Sequence, residues 1–274
     1  MDGIPVLKVE GDTLPQVWEK AVILCWKEGV PVRTEYDRPD DPPSRDSTMI
    51  MVVSNPMREP RIHRAIPAGL EDLEIYRLEV VNGIHDHWIV PEEGKWQYTY
   101  HERLFAYKVA QKSFDQIDHI VEKLTQRPYT RRAQALTWKV WQDPFTDDPP
   151  CLQRLWFRIL DDKLILNAHM RSNDAYKAAF MNMFAFTDLQ RSIAERVGQR
   201  TGRKVEVGQY VHIADSFHIY GAYFDQFKGF LKTVEERPFE ERVWTTQFAE
   251  PFFEEARRKA ELTSYTGQKP AREE

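Results

Sequence analysis

PPCLQRLWFRILDDKLILNAHMRSNDAYKAAFMN, residues 149–182, is the stretch on which the fold turns. Leu155, Phe157 and Ile159 fall on one face of an alternating run, which is the period-2 signature of a strand. Asp161-Asp162 is a turn signal. KLILNAHM then alternates again, with Leu164, Leu166 and Ala168 on one face. The period changes after that. Asp174 to Val197 has helical spacing and predicts the longest helix of the chain, stopped by Gly198. Cys151 stands where a stiff Pro149-Pro150 turn hands over to the first of these strands.

Upstream, Leu136, Trp138 and Val140 alternate and predict a strand over Ala133–Val140. Ser113 to Arg127 predicts a helix: Ile117, Ile120, Val121 and Leu124 form its apolar stripe, Ser113 is a candidate cap, and Pro128 follows. Leu14 to Trp26 predicts an amphipathic helix capped by Asp12 or Thr13, with Pro15 in its first turn and Cys25 on its apolar stripe. YDRPDDPPSRDS reads as a loop, Met49–Val53 as a short strand and Leu70–Val81 as a helix. Downstream, Val205–Ile213 alternates again. Strands and helices in this irregular order predict an α+β fold: one domain over residues 1–274, built on a mixed, twisted sheet flanked by helices. A charged tail begins at about residue 255 and ends in GQKPAREE.

Composition narrows the function. A chain of 274 residues can bury a substantial core. The net charge of −5 argues against a general nucleic-acid binder. No apolar run approaches the length of a membrane span, and the start MDGIPVLKVEGD has no signal-peptide core. Two cysteines support neither a disulfide framework nor a cysteine-rich metal site, so a reducing cytoplasm is the expected compartment and no metal is expected.

Several residues carry chemistry. Arg131 and Arg132 adjoin a predicted strand, and paired guanidinium donors suit a phosphate. Cys151 alone reads first as a small buried hydrophobe, and otherwise as a nucleophile whose thiol Arg131, Arg132 and Arg171 help to ionise if the fold gathers them. Arg171 and Ser172 precede the long helix, as an anion site would. Asn182 interrupts an apolar run. Its amide offers a donor beside an acceptor, which matches the N–H and C=O of a uracil edge. In ADSFHIYG, His218 and Tyr220 lie on one side of an extended segment and suit a sugar hydroxyl.

The order of these features is more specific than any one of them. TRRAQALTWK, DDPPCLQRLWF, MRSNDAYKAAFMN and ADSFHIYG together resemble the thymidylate synthase family. The resemblance runs from about Trp96 to Tyr223, and YTYHERL, RRAQALTW and the short PPC lead-in look most like its archaeal-type branch. It implies that Cys151 adds to carbon 6 of a pyrimidine nucleotide, dUMP above all, and that Tyr100 is the active-site tyrosine. Arg171 and Ser172 would hold the nucleotide phosphate, and Arg131 and Arg132 would reach the phosphate of the partner subunit in a homodimer. Arg45 is a further match for a phosphate-binding arginine. Asn182 would read the base, and His218 and Tyr220 would bind the sugar 3′-hydroxyl. Asp174 and Asp215 would order the pocket, with Asp174 nearer the donor. The one-carbon donor would be 5,10-methylenetetrahydrofolate or a related pterin.

Three departures from the family pattern stand out. LEDLEIYRLEVVNG replaces the helix with the catalytic glutamate, so Glu74 and Glu79 are both candidates for that role. The apolar C-terminal tail is replaced by KPAREE. ADSFHIYG has one extra residue between Asp and His. The resemblance implies methylation of dUMP to dTMP. The alternatives are a pyrimidine nucleotide hydroxymethylase and a catalytically silent nucleotide-binding scaffold.

Overall fold

The computed structural model describes residues 3–93 and 96–266, with side chains to residue 261. In chain order the strands are β1 (Val6–Gly11), β2 (Val30–Val32), β3 (Ser44–Val53), β4 (Ile62–His63), β5 (Tyr107–Val109), β6 (Lys112–Phe114), β7 (Ala133–Leu136), β8 (Leu152–Leu160), β9 (Lys163–Asp174), β10 (Glu206–Ile219) and β11 (Val243–Trp244). The helices are α1 (Leu14–Glu28), α2 (Leu70–Asn82), α3 (Tyr100–Phe105), α4 (Gln116–Gln126), α5 (Ala179–Thr201), α6 (Phe224–Glu236) and α7 (Thr246–Thr266).

The main sheet runs β1-β3-β10-β9-β8-β7, with β2 paired to β3. It is mixed, as expected: β1/β3 and β9/β10 are parallel and the other pairs antiparallel. The hairpin at the centre of the opening stretch closes at Asp161 and Asp162, with φ of 50° and 56°. Two left-handed residues make a turn whose twist matches the flanking strands, and Asp tolerates that conformation. α5 is the crossover that returns β9 to its parallel neighbour β10.

Alternation decides which face meets the helices. Met49, Met51, Phe157, Leu166 and Tyr210 are buried on the face packed by α1 and α5. Trp18 of α1 joins that core and donates its indole N–H to the Ala175 carbonyl (2.9 Å) just beyond β9. Cys25 is fully buried there, as its stripe predicts, and burial pushes its thiol up to about 12. The other face carries Ile50, Trp156, Ile165 and Ile213, all only half-buried.

Several boundaries differ from the sequence reading. The long helix begins at Ala179, not Asp174, because β9 runs on to Asp174 and the Asp174 carboxylate accepts the amides of Tyr176 and Lys177 (3.0 and 2.8 Å) in a turn. It passes through Gly198 and ends before Gly202, whose φ of 66° suits the left-handed cap that glycine adopts freely. α4 is capped by Asp115, which accepts the Asp118 amide (2.7 Å), while Ser113 lies in β6. β7 stops at Leu136, because Arg103 and Asp143 draw the following residues into a turn. The charged segment after residue 254 is a docked helix through Thr266, with Ala256 and Ala260 buried; GQKPAREE lies outside the described residues.

Candidate active site

The register sets the site. Leu152 pairs with Met170, and Ser172, Asn173 and Asp174 pair with Ser216, Phe217 and His218. The start of β8 and the ends of β9 and β10 therefore meet at one edge of the sheet, where open α/β sheets commonly bind ligands. A cavity of about 280 Å³ opens there, and its wall includes Tyr76, Tyr100, Cys151, Ser172, Asp174, Lys177, Asn182, His218 and Tyr220. Seven of these are residues the sequence assigns to the site; Tyr76 and Lys177 are not, nor are Asn173, Ala178 and Met181, which complete the wall.

Cys151 is held by its neighbours on both sides. Arg171 donates from Nε to the Pro150 carbonyl (3.1 Å) and from Nη2 to the Pro149 carbonyl (2.7 Å), and its amide donates to the Cys151 carbonyl (2.8 Å). The Leu152 amide donates to the Tyr100 hydroxyl (3.2 Å). The proline turn is thus clamped by a guanidinium that the sequence reading reserved for a phosphate. Only Nη1 of Arg171 is left without a hydrogen bond among the described residues.

The electrostatics of the thiol correct another expectation. Burial pushes Cys151 up from the ordinary thiol value; Arg171 opposes this and Asp148 adds to it. The expected cluster of arginines is not assembled within this chain. Arg131 and Arg132 are exposed ahead of β7, outside the cavity wall. Arg45 is half-buried on β3, donates to the Gly29 carbonyl (3.0 Å) and lies over the Trp26 ring. With one nearby cation, desolvation outweighs attraction. A raised pKa leaves less thiolate at any given pH, so iodoacetamide labelling of Cys151 in the free protein should be slow at neutrality. Its rate should rise with an inflection above the ordinary thiol range, followed by mass spectrometry across pH; an inflection below that range would contradict the electrostatics described here.

On the α5 wall, Asn182 is 4% exposed, and its Oδ1 accepts a hydrogen bond from the Tyr76 hydroxyl of α2. Neither candidate glutamate lines the cavity. Glu74 is buried and engaged by Arg77 (2.7 and 2.6 Å) and Arg257 (2.7 Å). Glu79 contacts His85 Nδ1 (2.9 Å). One helical turn separates Tyr76 from Glu79, and it is the phenol that faces Asn182.

The far wall is formed by β10. His218 and Tyr220 sit edge to face with ring centroids 4.5 Å apart, and both line the cavity. Ser216 Oγ donates to Asp46 Oδ2 (2.8 Å) and lies 3.1 Å from His218 Nδ1. Ser216 thereby links the His218 ring to the Asp46 carboxylate. Burial raises the carboxyl groups of both Asp46 and Asp174; hydrogen bonds and His218 oppose it.

Asp215 is a further correction. Met49 pairs with Ala214 and Ser47 with Phe217, so Asp215 and Ser216 together oppose only Thr48. The extra residue is a β-bulge. Asp215 follows the alternation of Ile213 and Ala214 onto the outer face, where it is exposed and meets His169 Nε2 (3.0 Å); the bulge shifts the phase after it and brings Ser216 to Asp46. A bulge depends on the partner strand, and the segment ADSFHIYG alone does not contain it.

The fold is that of the thymidylate synthases. The structure resembles a thermostable thymidylate synthase A from Bacillus subtilis with a TM-score of 0.59, covering 79% of this chain and 83% of that chain at 20% identity. In sequence, the family model described as thymidylate synthase matches residues 71–272, and the chain belongs to the thymidylate synthase family. A protein of Methanocaldococcus jannaschii named "Putative thymidylate synthase" is 33% identical over 220 residues, spanning 78% of this chain and 91% of the relative. One of the same name from Methanopyrus kandleri is 34% identical over 200 residues, spanning 70% and 85%. Among the described residues no helix is long and apolar enough to cross a membrane, and no cluster of acidic, His and Cys residues forms a metal site.

Proposed function

We propose that this family member is a thymidylate synthase, converting dUMP to dTMP by reductive methylation with a methylenetetrahydrofolate-type donor. The observation that carries the reading is the presence in one cavity of a clamped thiol, Cys151, and a buried amide, Asn182, with a histidine and a tyrosine opposite. Cys151 Sγ adds to carbon 6 of the uracil ring, which makes carbon 5 nucleophilic. Asn182 donates to the ring carbonyl and accepts from the ring N–H. His218 and Tyr220 take the sugar hydroxyl. Arg171 Nη1 and Ser172 contribute to the phosphate site, which Arg131 and Arg132 complete from a partner subunit.

A homodimer in the cytoplasm is part of this proposal. The exposed position of Arg131 and Arg132 and the half-buried Trp156, Ile165 and Ile213 on the outer face of the sheet support the shared assembly. Phosphate binding with the partner's arginines would add the positive charge that the free thiol lacks. The donor supplies the one-carbon unit and the hydride when bound. Exposed Lys177, whose Nζ lies 3.5 Å from the Tyr223 ring centroid, and Asp174 beside it are the cavity-wall groups that a flat, acidic donor would meet.

The test is incubation with dUMP and methylenetetrahydrofolate, following dihydrofolate absorbance and nucleotide mass. Dihydrofolate with a methyl gain supports the synthase. A hydroxymethyl gain with tetrahydrofolate released would make the protein a hydroxymethylase. No adduct at Cys151 with 5-fluoro-dUMP and donor would exclude both. Asn182→Asp should move nucleotide preference from uracil toward cytosine by about tenfold or more, because a carboxylate suits an amino group and leaves a ring carbonyl unpaired. The ratio of dUMP to dCMP affinities measures it; an unchanged ratio removes Asn182 from base reading.

A further inference from the structure

Asn182 can present its amide to a ligand in two ways, and only one matches uracil. Uracil shows an N–H beside a carbonyl, whereas cytosine shows a bare ring nitrogen beside an amino group. The two ends of an amide are nearly equal in shape, so sterics alone do not choose between them. The choice must come from a neighbour whose own hydrogen bond favours one end of the amide. Tyr76, reaching across from α2, is that neighbour: its hydroxyl donates to Asn182 Oδ1, and it makes no other hydrogen bond among the described residues. Nδ2 of Asn182 has no partner among the described residues, and both residues line the cavity.

We propose that Tyr76 is the positioning residue that locks the Asn182 amide in the uracil-reading orientation and thereby excludes cytosine nucleotides. The proposal rests on the reading of the cavity as a pyrimidine nucleotide site. Tyr76 delivers its proton to one lone pair of Oδ1, leaving the other for the ring N–H, while Nδ2 donates to the ring carbonyl. Reading cytosine requires the amide to flip. The flip puts Nδ2 against the phenol and leaves the Tyr76 proton without its acceptor at a buried site, which is costly. The phenol is a dependable donor: burial holds its pKa well above the ordinary tyrosine value, so it keeps its proton. A glutamate at this place would be an acceptor when ionised and would favour the opposite amide orientation.

Tyr76→Phe keeps the ring and removes the proton donor. Affinities for dUMP and dCMP are measured by calorimetry on the full-length protein and this variant. The expected result is a fall of about tenfold or more in the preference for dUMP, arising chiefly from tighter dCMP binding. An unchanged preference in the folded variant overturns the proposal. The second arm works from the other end: in an Asn182→Ala background, adding Tyr76→Phe should change the preference no further, because Tyr76 acts through Asn182. A further loss there overturns the proposal too, and this arm compares two variants that share any packing defect. Failure of the underlying reading looks different: the unmodified protein would bind neither nucleotide.

Discussion

Replacing Cys151 with alanine is expected to abolish turnover, by on the order of 10⁴-fold or more, while dUMP binding stays within a few-fold of the parent. The reaction proposed begins with covalent addition of this sulfur, and among the described residues Cys151 is the one thiol in the cavity wall. The side chain makes no hydrogen bond among the described residues, so its removal leaves no stranded partner. Its backbone carbonyl, which accepts the Arg171 amide at 2.8 Å, is retained in alanine. The proline turn and the binding wall should therefore survive. Turnover measured by dihydrofolate release and binding measured by calorimetry separate the two effects. If binding disappeared together with turnover, Cys151 would be a packing residue. Cys25→Ala is the internal contrast: that thiol is buried in the core, pushed up to about 12, and its loss should cost stability and spare chemistry.

The largest effect on stability should come from Asp143→Ala. Arg103 and Asp143 are each 1% exposed at the side chain and meet in a fork, Nη2 to Oδ1 at 2.7 Å and Nη1 to Oδ2 at 3.1 Å. Arg103 Nη1 also donates to the Thr137 carbonyl (3.0 Å), and the Lys139 amide donates to Asp143 (2.6 Å). Removing the carboxylate leaves the buried guanidinium, among the described residues, only Glu102 as an ion-pair partner (Nε to Oε2, 3.3 Å), and breaking a buried pair typically costs about 3–5 kcal/mol. The consequence reaches the site, because Arg103 lies on α3 with Tyr100, and Asp143 lies in the turn that leads to Cys151. A Tm lowered by about 10 °C is expected for a chain of this size. A loss of under about 1 kcal/mol in a denaturant melt would show that the turn is held by other contacts.

Much of the fold is legible in local pattern. The hairpin around Asp161-Asp162, the α1 and α4 stripes and the core assignment of Cys25 all follow from periodicity and turn chemistry, which act over a few residues. Where the reading went astray, a distant partner set the outcome. The Asp174 carboxylate captured two amides and delayed α5. Arg103 pulled the end of β7 into a turn.

The site divides along the same line. The residue types and their order along 131–220 place a thiol, an amide, a histidine and a tyrosine in the chain, and those types are covalent facts that no folding can change. Orientation is another matter. Arg171 turned to the proline carbonyls, the bulge after Ala214 brought Ser216 to Asp46, and α2 offered a phenol to Asn182. Each of these outcomes depends on contacts between segments far apart in the chain, such as Tyr76 and Asn182 at a separation of 106 residues. Local sequence carries the chemistry of each group; the hydrogen bond it makes, and hence the face it offers a ligand, comes from the element packed against it.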